Sequence, residues 1–202
     1  YLFLWGYYER LIGMRERLIG QVDTSQFQVS NLNRLGANYY SIGRLDLATR
    51  RWQDAMTIAR KTGNRHGERV ALGGLGRTYQ VLGSLEKAIE HHEQQLIIAR
   101  EIGDRQGEET GLGGLGRIYQ VLGKLEQAIE CQEQQLIIAR EIGDQHGEET
   151  ALGDLGHTYR VLGNLEQAIE SREQQLTIAR EIGDRRGEGT ALGGLGRVYE
   201  LL

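Results

Sequence analysis

The sequence repeats itself every 40 residues, and this repetition constrains the fold more than any other feature of the chain. The run Leu-Gly-Gly-Leu-Gly-Arg, or a close variant of it, begins at Leu72, Leu112, Leu152 and Leu192. Residues 109–148 and 149–188 are identical at 29 of 40 positions. Such a period is typical of architectures in which each copy is a small structural unit that buries its apolar face against its neighbours.

Each copy carries the pattern of two helices. In residues 109–148 the first apolar stripe has the spacing of one helical face and consists of Leu112, Leu115, Tyr119 and Leu122. The second stripe consists of Leu125, Ala128, Ile129, Leu136, Ala139 and Ile142. Gly123 and Gly143 stand where glycine ends a helix, and Asp104 stands where a side chain caps the start of one. Because one helix cannot bury its stripe alone, the pattern predicts paired helices that stack on the next pair. We expect Tyr79, Tyr119 and Tyr159 to be largely buried between helices, and Ala88, Ala128 and Ala168 to lie at close helix crossings.

The predicted fold class is therefore all-α, a right-handed α-solenoid of antiparallel helix hairpins without strands. The expected helices cover residues 3–19, 25–42, 45–62, 65–82, 85–102, 105–122, 125–142, 145–162, 165–182 and 185–201. The period divides the chain into units 29–68, 69–108, 109–148 and 149–188 and a partial unit 189–202. Residues 1–28 are expected to hold a degenerate helix of a preceding repeat, followed by a cap at Asp23–Gln26.

Composition excludes several classes of protein. Proline is absent, which permits long unkinked helices, whereas the 29 glycines need a structural reason because each costs about 1 kcal/mol inside a helix. A net charge of −4 argues against nucleic-acid binding, and the single cysteine, Cys131, argues against a disulfide scaffold. No apolar run reaches the ~18 residues of a membrane span, so we expect a cytoplasmic protein without membrane contact. The chain begins at Tyr1 and stops soon after Glu200, and we expect it to be a fragment of something larger.

The first copy of the repeat, residues 29–68, resembles a known family. The residues that carry this resemblance are Leu35, Gly36, Tyr39, Gly43, Ala48, Trp52 and Ala55. Their pattern resembles the tetratricopeptide signature of small and large residues that lock two helices together, over roughly residues 29–202. The 40-residue period exceeds the usual 34 and is similar to the longer repeats of kinesin light chains, of G-protein signalling adaptors and of large prokaryotic signalling proteins. Later copies carry polar residues where Trp52 and Ala55 stand, which predicts looser or wetter packing there: His92, Gln95, Gln132, Gln135, Arg172 and Gln175.

Polar side chains recur on the first helix of each copy, about 100–140° around the helix from the core stripe. These candidate binding residues are Asn33, Arg34, Tyr40, Arg77, Gln80, Arg117, Gln120, His157, Arg160 and Arg197. In tetratricopeptide domains the first helices line a concave groove, so the resemblance implies that these side chains face the ligand. Arginine suits carboxylates and carbonyl oxygens, and most acidic residues fall on second helices and loops. We therefore expect an extended, acidic partner segment; alternatively, the basic residues only balance a Glu-rich protein.

Other motifs point to chemistry more weakly. Gly111–Gly116 fits G-x-G-x-x-G but lies inside a predicted helix with no strand before it, so no nucleotide site is expected. Close helix packing at Gly116, with a shallow groove wall at Gly113 and Gly114, explains these glycines instead. The metal-ligand types His91, His92 and Cys131 are interpreted as solvated surface residues. We expect the recurring glutamates to be surface residues too, among them Glu126, Glu130 and Glu133. The expectation is no metal, no cofactor and no enzymatic activity.

Three functions remain open. The leading one is a scaffold that binds a protein or peptide. The second is a regulatory sensor region attached to a signalling NTPase or protease in the same polypeptide, which an upstream nucleotide-binding domain would favour. The third is self-assembly through open ends of the stack, because the last helix presents a set of uncovered apolar residues. This set consists of Leu192, Leu195, Tyr199, Leu201 and Leu202.

Overall fold

The computed structural model describes residues 2–19 and 25–202, and within them every regular element is an α-helix. The described helices are α1 (Leu2–Arg17), α2 (Ser25–Ser41), α3 (Leu45–Thr62), α4 (Arg65–Val81), α5 (Leu85–Glu101), α6 (Arg105–Val121), α7 (Leu125–Ile142), α8 (Gln145–Leu162), α9 (Leu165–Glu181) and α10 (Arg185–Tyr199). Each predicted helix end lies within two residues of the observed one, and the all-α prediction is confirmed. Asp23 and Thr24, in the predicted cap before α2, lie outside the described residues.

Glycine ends the helices in the same way along the chain. A glycine with φ between 67° and 87° follows each helix from α2 to α9, at Gly43, Gly63, Gly83, Gly103, Gly123, Gly143, Gly163 and Gly183. This left-handed conformation is open to glycine and strained for other residues. The residue after the glycine then donates its N–H five residues back, as from Asp144 to Ala139 O at 2.9 Å. The predicted helix ends at Gly123 and Gly143 are thus confirmed.

Side-chain caps begin the first helices of the hairpins. Oδ1 of Asp104, Asp144 and Asp184 accepts the N–H of the glycine three residues later, at 2.9 to 3.0 Å. Asn64 does the same for Gly67 at 2.8 Å. A carboxylate at this place satisfies an otherwise unpaired amide and meets the positive end of the helix dipole.

The described residues divide into two compact blocks, an N-terminal block up to residue 107 and a C-terminal block of residues 108–202. In the N-terminal block, α2 pairs with α3 and α4 pairs with α5, while α4 also packs against α3. Its buried core contains Ile12, Leu32, Leu35, Tyr39, Ile42, Ala48, Trp52, Ala55, Ala71 and Leu75. Ile12 ties α1 to this core, and Glu16 of α1 accepts a hydrogen bond from the Tyr39 hydroxyl at 2.9 Å.

In the C-terminal block, α8 lies between α7 and α9, and α9 packs against α10. One buried cluster joins α7 to α8 and consists of Leu136, Ala151, Leu152 and Leu155. Ala128 of α7 and Ala168 of α9 are fully buried, as is Ala88 of the N-terminal block, which agrees with their predicted place at close helix crossings.

Two features of the packing differ from expectation. Tyr79, Tyr119 and Tyr159 are half-buried, so the prediction that they are largely buried is wrong. A phenol hydroxyl needs a hydrogen-bond partner, and Tyr159 finds one at the surface, where it donates to Glu133 Oε1 at 2.8 Å.

The recurring glutamates do not all face solvent either. Glu126, Glu130 and Glu133 are exposed as predicted. Other glutamates, near the starts of the first helices, are buried: Glu68, Glu108, Glu109 and Glu149. The boundaries drawn from the repeat at 29, 69, 109 and 149 fall inside first helices, and the division into units stays a prediction.

Candidate functional site

The first-helix face of the N-terminal block, formed by α2 and α4, contains a pocket of about 540 Å³. Asn33 and Arg34, both predicted as binding residues, line it. Asn33 is only 7% exposed; its Nδ2 donates to Gly67 O at 3.0 Å, and its Oδ1 has no hydrogen-bond partner among the described residues. Arg34 is exposed. A buried, unpaired acceptor beside an exposed guanidinium suits a ligand that brings an N–H and an anion.

The other predicted residues of this block have different surroundings. Tyr40 is half-buried and packs against Trp52 with a ring-centroid distance of 6.0 Å, so it supports the core. Arg77 is exposed and Gln80 is half-buried, both on α4. The structure thus brings Asn33 and Arg34 together at one pocket.

In the C-terminal block, the predicted residues of α6 bind side chains of the next first helix, α8. Arg117 Nη1 lies 3.4 Å from Asp154 Oδ2 in an ion pair. Gln120 Nε2 donates to Thr158 Oγ1 at 2.8 Å. Burial raises the pKa of Asp154, while Arg117 acts in the opposite direction. Asp154 therefore neutralises part of the positive charge that the sequence predicts on this face.

A basic cluster lies further along the same block. Burial lowers the pKa of His157, and the charges of Arg160, Arg172 and Arg197 lower it further. Arg172 lies on the second helix α9 and is buried, and burial lowers the pKa of its guanidinium as well. Three of these four residues were predicted from the sequence, whereas Arg172 was not. Together they favour a negatively charged ligand group.

Side chains of second helices extend toward the first helices because glycines of the first helices leave space for them. At three equivalent positions a Cβ added to the glycine would lie 2.9 Å from a glutamine: Gly73 and Gln95, Gly113 and Gln135, and Gly153 and Gln175. Arg172 fills the same kind of gap between Gly156 and Gly194. Gly113 is therefore filled by Gln135 and does not leave a shallow wall as predicted. Sequence reasoning missed these polar residues, although a glutamine recurring within an apolar stripe beside a recurring glycine is a visible signal.

The polar replacements of Trp52 and Ala55 pack closely against glycines of the first helices, so the prediction of looser packing is wrong, while that of wetter packing stays a prediction. All six are at most 6% exposed. Some of their polar atoms form hydrogen bonds, for example from Gln135 Nε2 to Glu109 Oε1 at 2.7 Å and from Thr158 Oγ1 to Gln132 Oε1 at 2.9 Å. These bonds offset part of the cost of burial, whereas Gln132 Nε2 and Gln135 Oε1 are buried without a hydrogen-bond partner among the described residues.

The prediction that His91, His92 and Cys131 are solvated surface residues is also wrong. His92 is 1% exposed and its Nδ1 lies 3.0 Å from Gln95 Oε1. His91 is half-buried and stacks on Tyr79 with a centroid distance of 5.3 Å. Cys131 is half-buried, and burial raises the pKa of its thiol to about 11. These residues belong to the helix interfaces.

Three residues whose side chains can bind a metal ion lie close together in the C-terminal block: His146, Glu149 and Asp184. His146 and Glu149 lie on α8, and Asp184 caps α10. One ligand atom of each lies within 4.8 Å of those of the other two. Glu149 and Asp184 line a pocket of about 400 Å³ that also contains His157, Arg172 and Gln175. Among the described helices, none is long and apolar enough to cross a membrane.

Comparison with solved structures supports the fold. A tetratricopeptide repeat sensor protein of the signal transduction ATPase class, from Pyrococcus horikoshii, superposes with a TM-score of 0.85 at 22% identity over 96% of this chain and 30% of that chain. A kinesin light chain with nearly identical repeats from Podosopora anserina superposes with a TM-score of 0.72 at 21% identity. The match covers 89% of this chain and 88% of that chain. A Rap protein complexed with competence and sporulation factor superposes with a TM-score of 0.81 at 18% identity. The match covers 97% of this chain and 60% of that chain. No curated protein sequence matches the chain.

The tetratricopeptide repeat profile matches the sequence at residues 28–101, 69–134, 107–170 and 147–202. These overlapping matches cover all four hairpins and α10. The resemblance inferred from Leu35, Gly36 and Trp52 is thereby confirmed, and so is the fold class of an α-solenoid of helix hairpins. This fold is a scaffold of the protein-interaction type, and the chain belongs to the tetratricopeptide repeat family.

Proposed function

We propose that the chain is a non-catalytic scaffold whose first-helix face binds an extended, acidic segment of a partner protein. The observation that carries this proposal is the pocket of Asn33 and Arg34, where a buried carbonyl oxygen without a partner stands beside an exposed guanidinium. A peptide backbone can supply the missing N–H, and a carboxylate of the same peptide can pair with Arg34. The complex of the Rap protein with competence and sporulation factor shows that a protein of this fold binds a ligand.

In the C-terminal block, the proposed contact region is the basic cluster of His157, Arg160, Arg172 and Arg197. Arg117 contributes less, because Asp154 already pairs with it. Each exposed ion pair should contribute about 0.2–1 kcal/mol and be weakened by salt. We therefore expect affinity for an acidic peptide to fall as the salt concentration rises.

The test is selection of a random peptide library on the whole chain, followed by measurement of affinity for the enriched peptides. We expect enrichment of Asp and Glu and severalfold weaker binding to the Arg34→Glu variant, because the change removes an exposed ion pair and adds a like charge. Arg50→Glu, an exposed arginine on the second helix α3, is the matched control and should bind as the unmodified chain does. Equal binding by both variants would show that the α2–α4 pocket is not the binding surface.

A broader test changes Arg77, Arg117 and Arg160 together to Glu. With an unchanged helical circular dichroism spectrum, this variant should recover less of the partners captured from the native host at low salt. Undiminished recovery would show that these basic residues of the first helices do not contribute to partner binding.

A second candidate is a sensor region within a larger signalling ATPase. The observation that favours it is the likeness to the Pyrococcus horikoshii sensor protein, of which the chain spans 30%. A nucleotide-binding domain in the parent polypeptide would support it, and cytoplasmic localisation is part of both candidates. Self-association through Leu192, Tyr199 and Leu202, which are exposed on and after α10, is tested by the dependence of molar mass on concentration.

A further inference from the structure

Equivalent pockets lie between successive first helices of the repeat. In the N-terminal block, α2 and α4 line the pocket of about 540 Å³ that contains Asn33 and Arg34. In the C-terminal block, α6 and α8 line most of a pocket of about 230 Å³, and α8 and α10 line much of the pocket of about 400 Å³. The same seven positions of the repeat, from Val29 to Val70 in the N-terminal pocket, line all three. The pockets can therefore be compared position by position.

Three of these positions are apolar in the N-terminal pocket and charged or polar in both C-terminal pockets. Two of the three lie on the earlier first helix of each pocket and one lies on the later first helix. The three sets are Val29 against Glu109 and Glu149, Ala37 against Arg117 and His157, and Val70 against Thr150 and Thr190. The N-terminal pocket thus has an aliphatic wall where the repeat elsewhere places a carboxylate, a basic group and a hydroxyl.

The small side chain of Ala37 also leaves room in this pocket. Where α6 carries Arg117 at this position, the pocket measures about 230 Å³, and where α2 carries Ala37 it measures about 540 Å³. Val29 is only 1% exposed and Val70 is half-buried, so the wall belongs to the packed part of the block. An apolar side chain that covers such a wall is removed from water together with it, which favours binding.

The polar part of the same pocket can hold a peptide group. Asn33 Oδ1 is buried without a hydrogen-bond partner among the described residues, and the exposed Arg34 follows it in the chain. Each residue of an extended segment offers a backbone N–H and a side chain, and successive residues are about 3.3 Å apart. One ligand residue can therefore donate to Asn33 and place its side chain on the apolar wall, while an acidic residue close by in the segment pairs with Arg34. Apolar walls with a few orienting polar groups are typical of ligand pockets.

We propose that the α2–α4 pocket binds a bulky apolar side chain, such as that of leucine, which the partner segment carries next to its acidic residue. This inference rests on the proposed function and adds to it the type of side chain that the segment presents at Asn33. The apolar residue selects among acidic segments, because charge alone does not distinguish them. The equivalent C-terminal pockets do not share this preference, because Glu109, Arg117 and His157 stand where the aliphatic wall would be.

The first test uses the peptides selected on the whole chain. We expect a leucine or another bulky apolar residue within about two positions of the Asp or Glu that binds Arg34. Replacement of this residue by alanine should weaken binding about tenfold, because it removes most of the apolar area that the pocket covers. Both affinities should fall as the salt concentration rises, whereas their ratio should stay constant, because screening acts on charges and not on apolar contacts.

The second test fills the pocket with a residue type of the later copies. Ala37→Arg introduces the side chain that Arg77 and Arg117 carry at the same position of their first helices. Because the variant also adds a charge, the measured quantity is the ratio of affinities for the leucine and alanine peptides. This ratio should fall from about tenfold to less than about twofold. Gln53→Arg, on the exposed face of α3, adds the same charge outside the pocket and should leave the ratio unchanged.

A milder variant serves if Ala37→Arg does not fold. Val70→Thr introduces the residue type of Thr150 and Thr190, which keeps the shape of valine and adds a hydroxyl. A hydroxyl without a hydrogen-bond partner disfavours an apolar side chain beside it, so the ratio should fall severalfold.

The outcomes separate this inference from the proposed function. If acidic peptides bind and alanine replaces leucine without loss, the apolar subsite is wrong and the proposed function stands. An unchanged ratio in Ala37→Arg or, where that variant does not fold, in Val70→Thr would also overturn the subsite, because the leucine would then bind elsewhere. If no peptide binds, the proposed function fails and the subsite fails with it.

Discussion

The indole of Trp52 on α3 fills the space beside Gly74 on α4: a Cβ on this glycine would lie 2.2 Å from Cε2 of the ring. Trp52 is almost fully buried and a bulky ring in a packed core cannot move aside without displacing its neighbours. Gly74→Ala should therefore destabilise the N-terminal block by about 1–3 kcal/mol through overpacking, although alanine favours the helix. Urea unfolding followed by tryptophan fluorescence measures this.

The matched control for that substitution is Gly193→Ala on α10. Nothing among the described residues lies within 4 Å of a Cβ at Gly193. The variant should be neutral or up to about 1 kcal/mol more stable, because alanine is the better helix former. Equal destabilisation by both variants would show that the helix backbone, and not the contact with Trp52, decides the effect.

A second prediction about packing concerns Ala128 on α7. Ala128 is fully buried, so Ala128→Leu should cost about 1–3 kcal/mol of unfolding free energy. Gln127→Leu, on the exposed face of the same helix, should change the free energy by less than about 0.5 kcal/mol. Chemical denaturation of both variants tests this, and a loss near zero for Ala128→Leu would mean that the hairpin is packed in another register.

Glu109 makes the stability of the C-terminal block depend on pH. Burial raises the pKa of its carboxyl, and the charge of Asp144 raises it further, while the hydrogen bond from Gln135 acts in the opposite direction. A raised native pKa means that the folded state holds the proton more tightly than the unfolded state. The contribution of Glu109 to stability is therefore present below its ordinary pKa near 4.5 and is lost as the pH rises through the raised value.

Glu109→Gln removes this titration and keeps a carbonyl oxygen for Gln135. Relative to the unmodified chain, the variant should gain stability as the pH rises from about 4 to 7. Urea unfolding over this pH range measures the difference, with Glu126→Gln on the exposed face of α7 as the control. A variant whose advantage shrinks with rising pH would contradict the assignment of Glu109 as a buried acid.

Cys131 should react slowly with thiol reagents. Burial, and then the charge of Glu130, raise the pKa of its thiol to about 11, so roughly one molecule in a thousand carries the reactive thiolate at pH 8. Its reaction with a disulfide reagent should be about a hundredfold slower in the native chain than in concentrated urea. Rapid native labelling would show that the interface around Cys131 opens frequently.

The helices and their ends were predictable from the sequence because they depend on local rules that recur with the period. The spacing of Leu112, Leu115 and Tyr119 gives the buried face of α6, and Gly123 gives its end. Neither inference needs knowledge of distant residues. The candidate residues Asn33 and Arg34 were also visible, because their place on the first helix follows from the same spacing.

The buried polar residues were not predictable in this way, because their burial depends on two helices at once. Gln135 stands at a core position of the repeat, but the space that accommodates it is visible only when the missing side chain of Gly113 on the facing helix is considered. The pairing of Arg117 with Asp154 similarly joins residues 37 positions apart on successive first helices. A hydrophobic pattern read along one helix contains no information about such partners.

The eight closing glycines recur at intervals of 20 residues, from Gly43 to Gly183, so the joints between consecutive helices from α2 to α10 share the same backbone conformation at the glycine. Loss of one copy through unequal recombination between similar repeats would join Gly103 directly to Asp144. This new junction would have the same residues and the same turn as the junction from Gly143 to Asp144 that it replaces. An array of this kind can lengthen or shorten during evolution without acquiring a new loop, and its reach toward a partner then changes in steps of one hairpin.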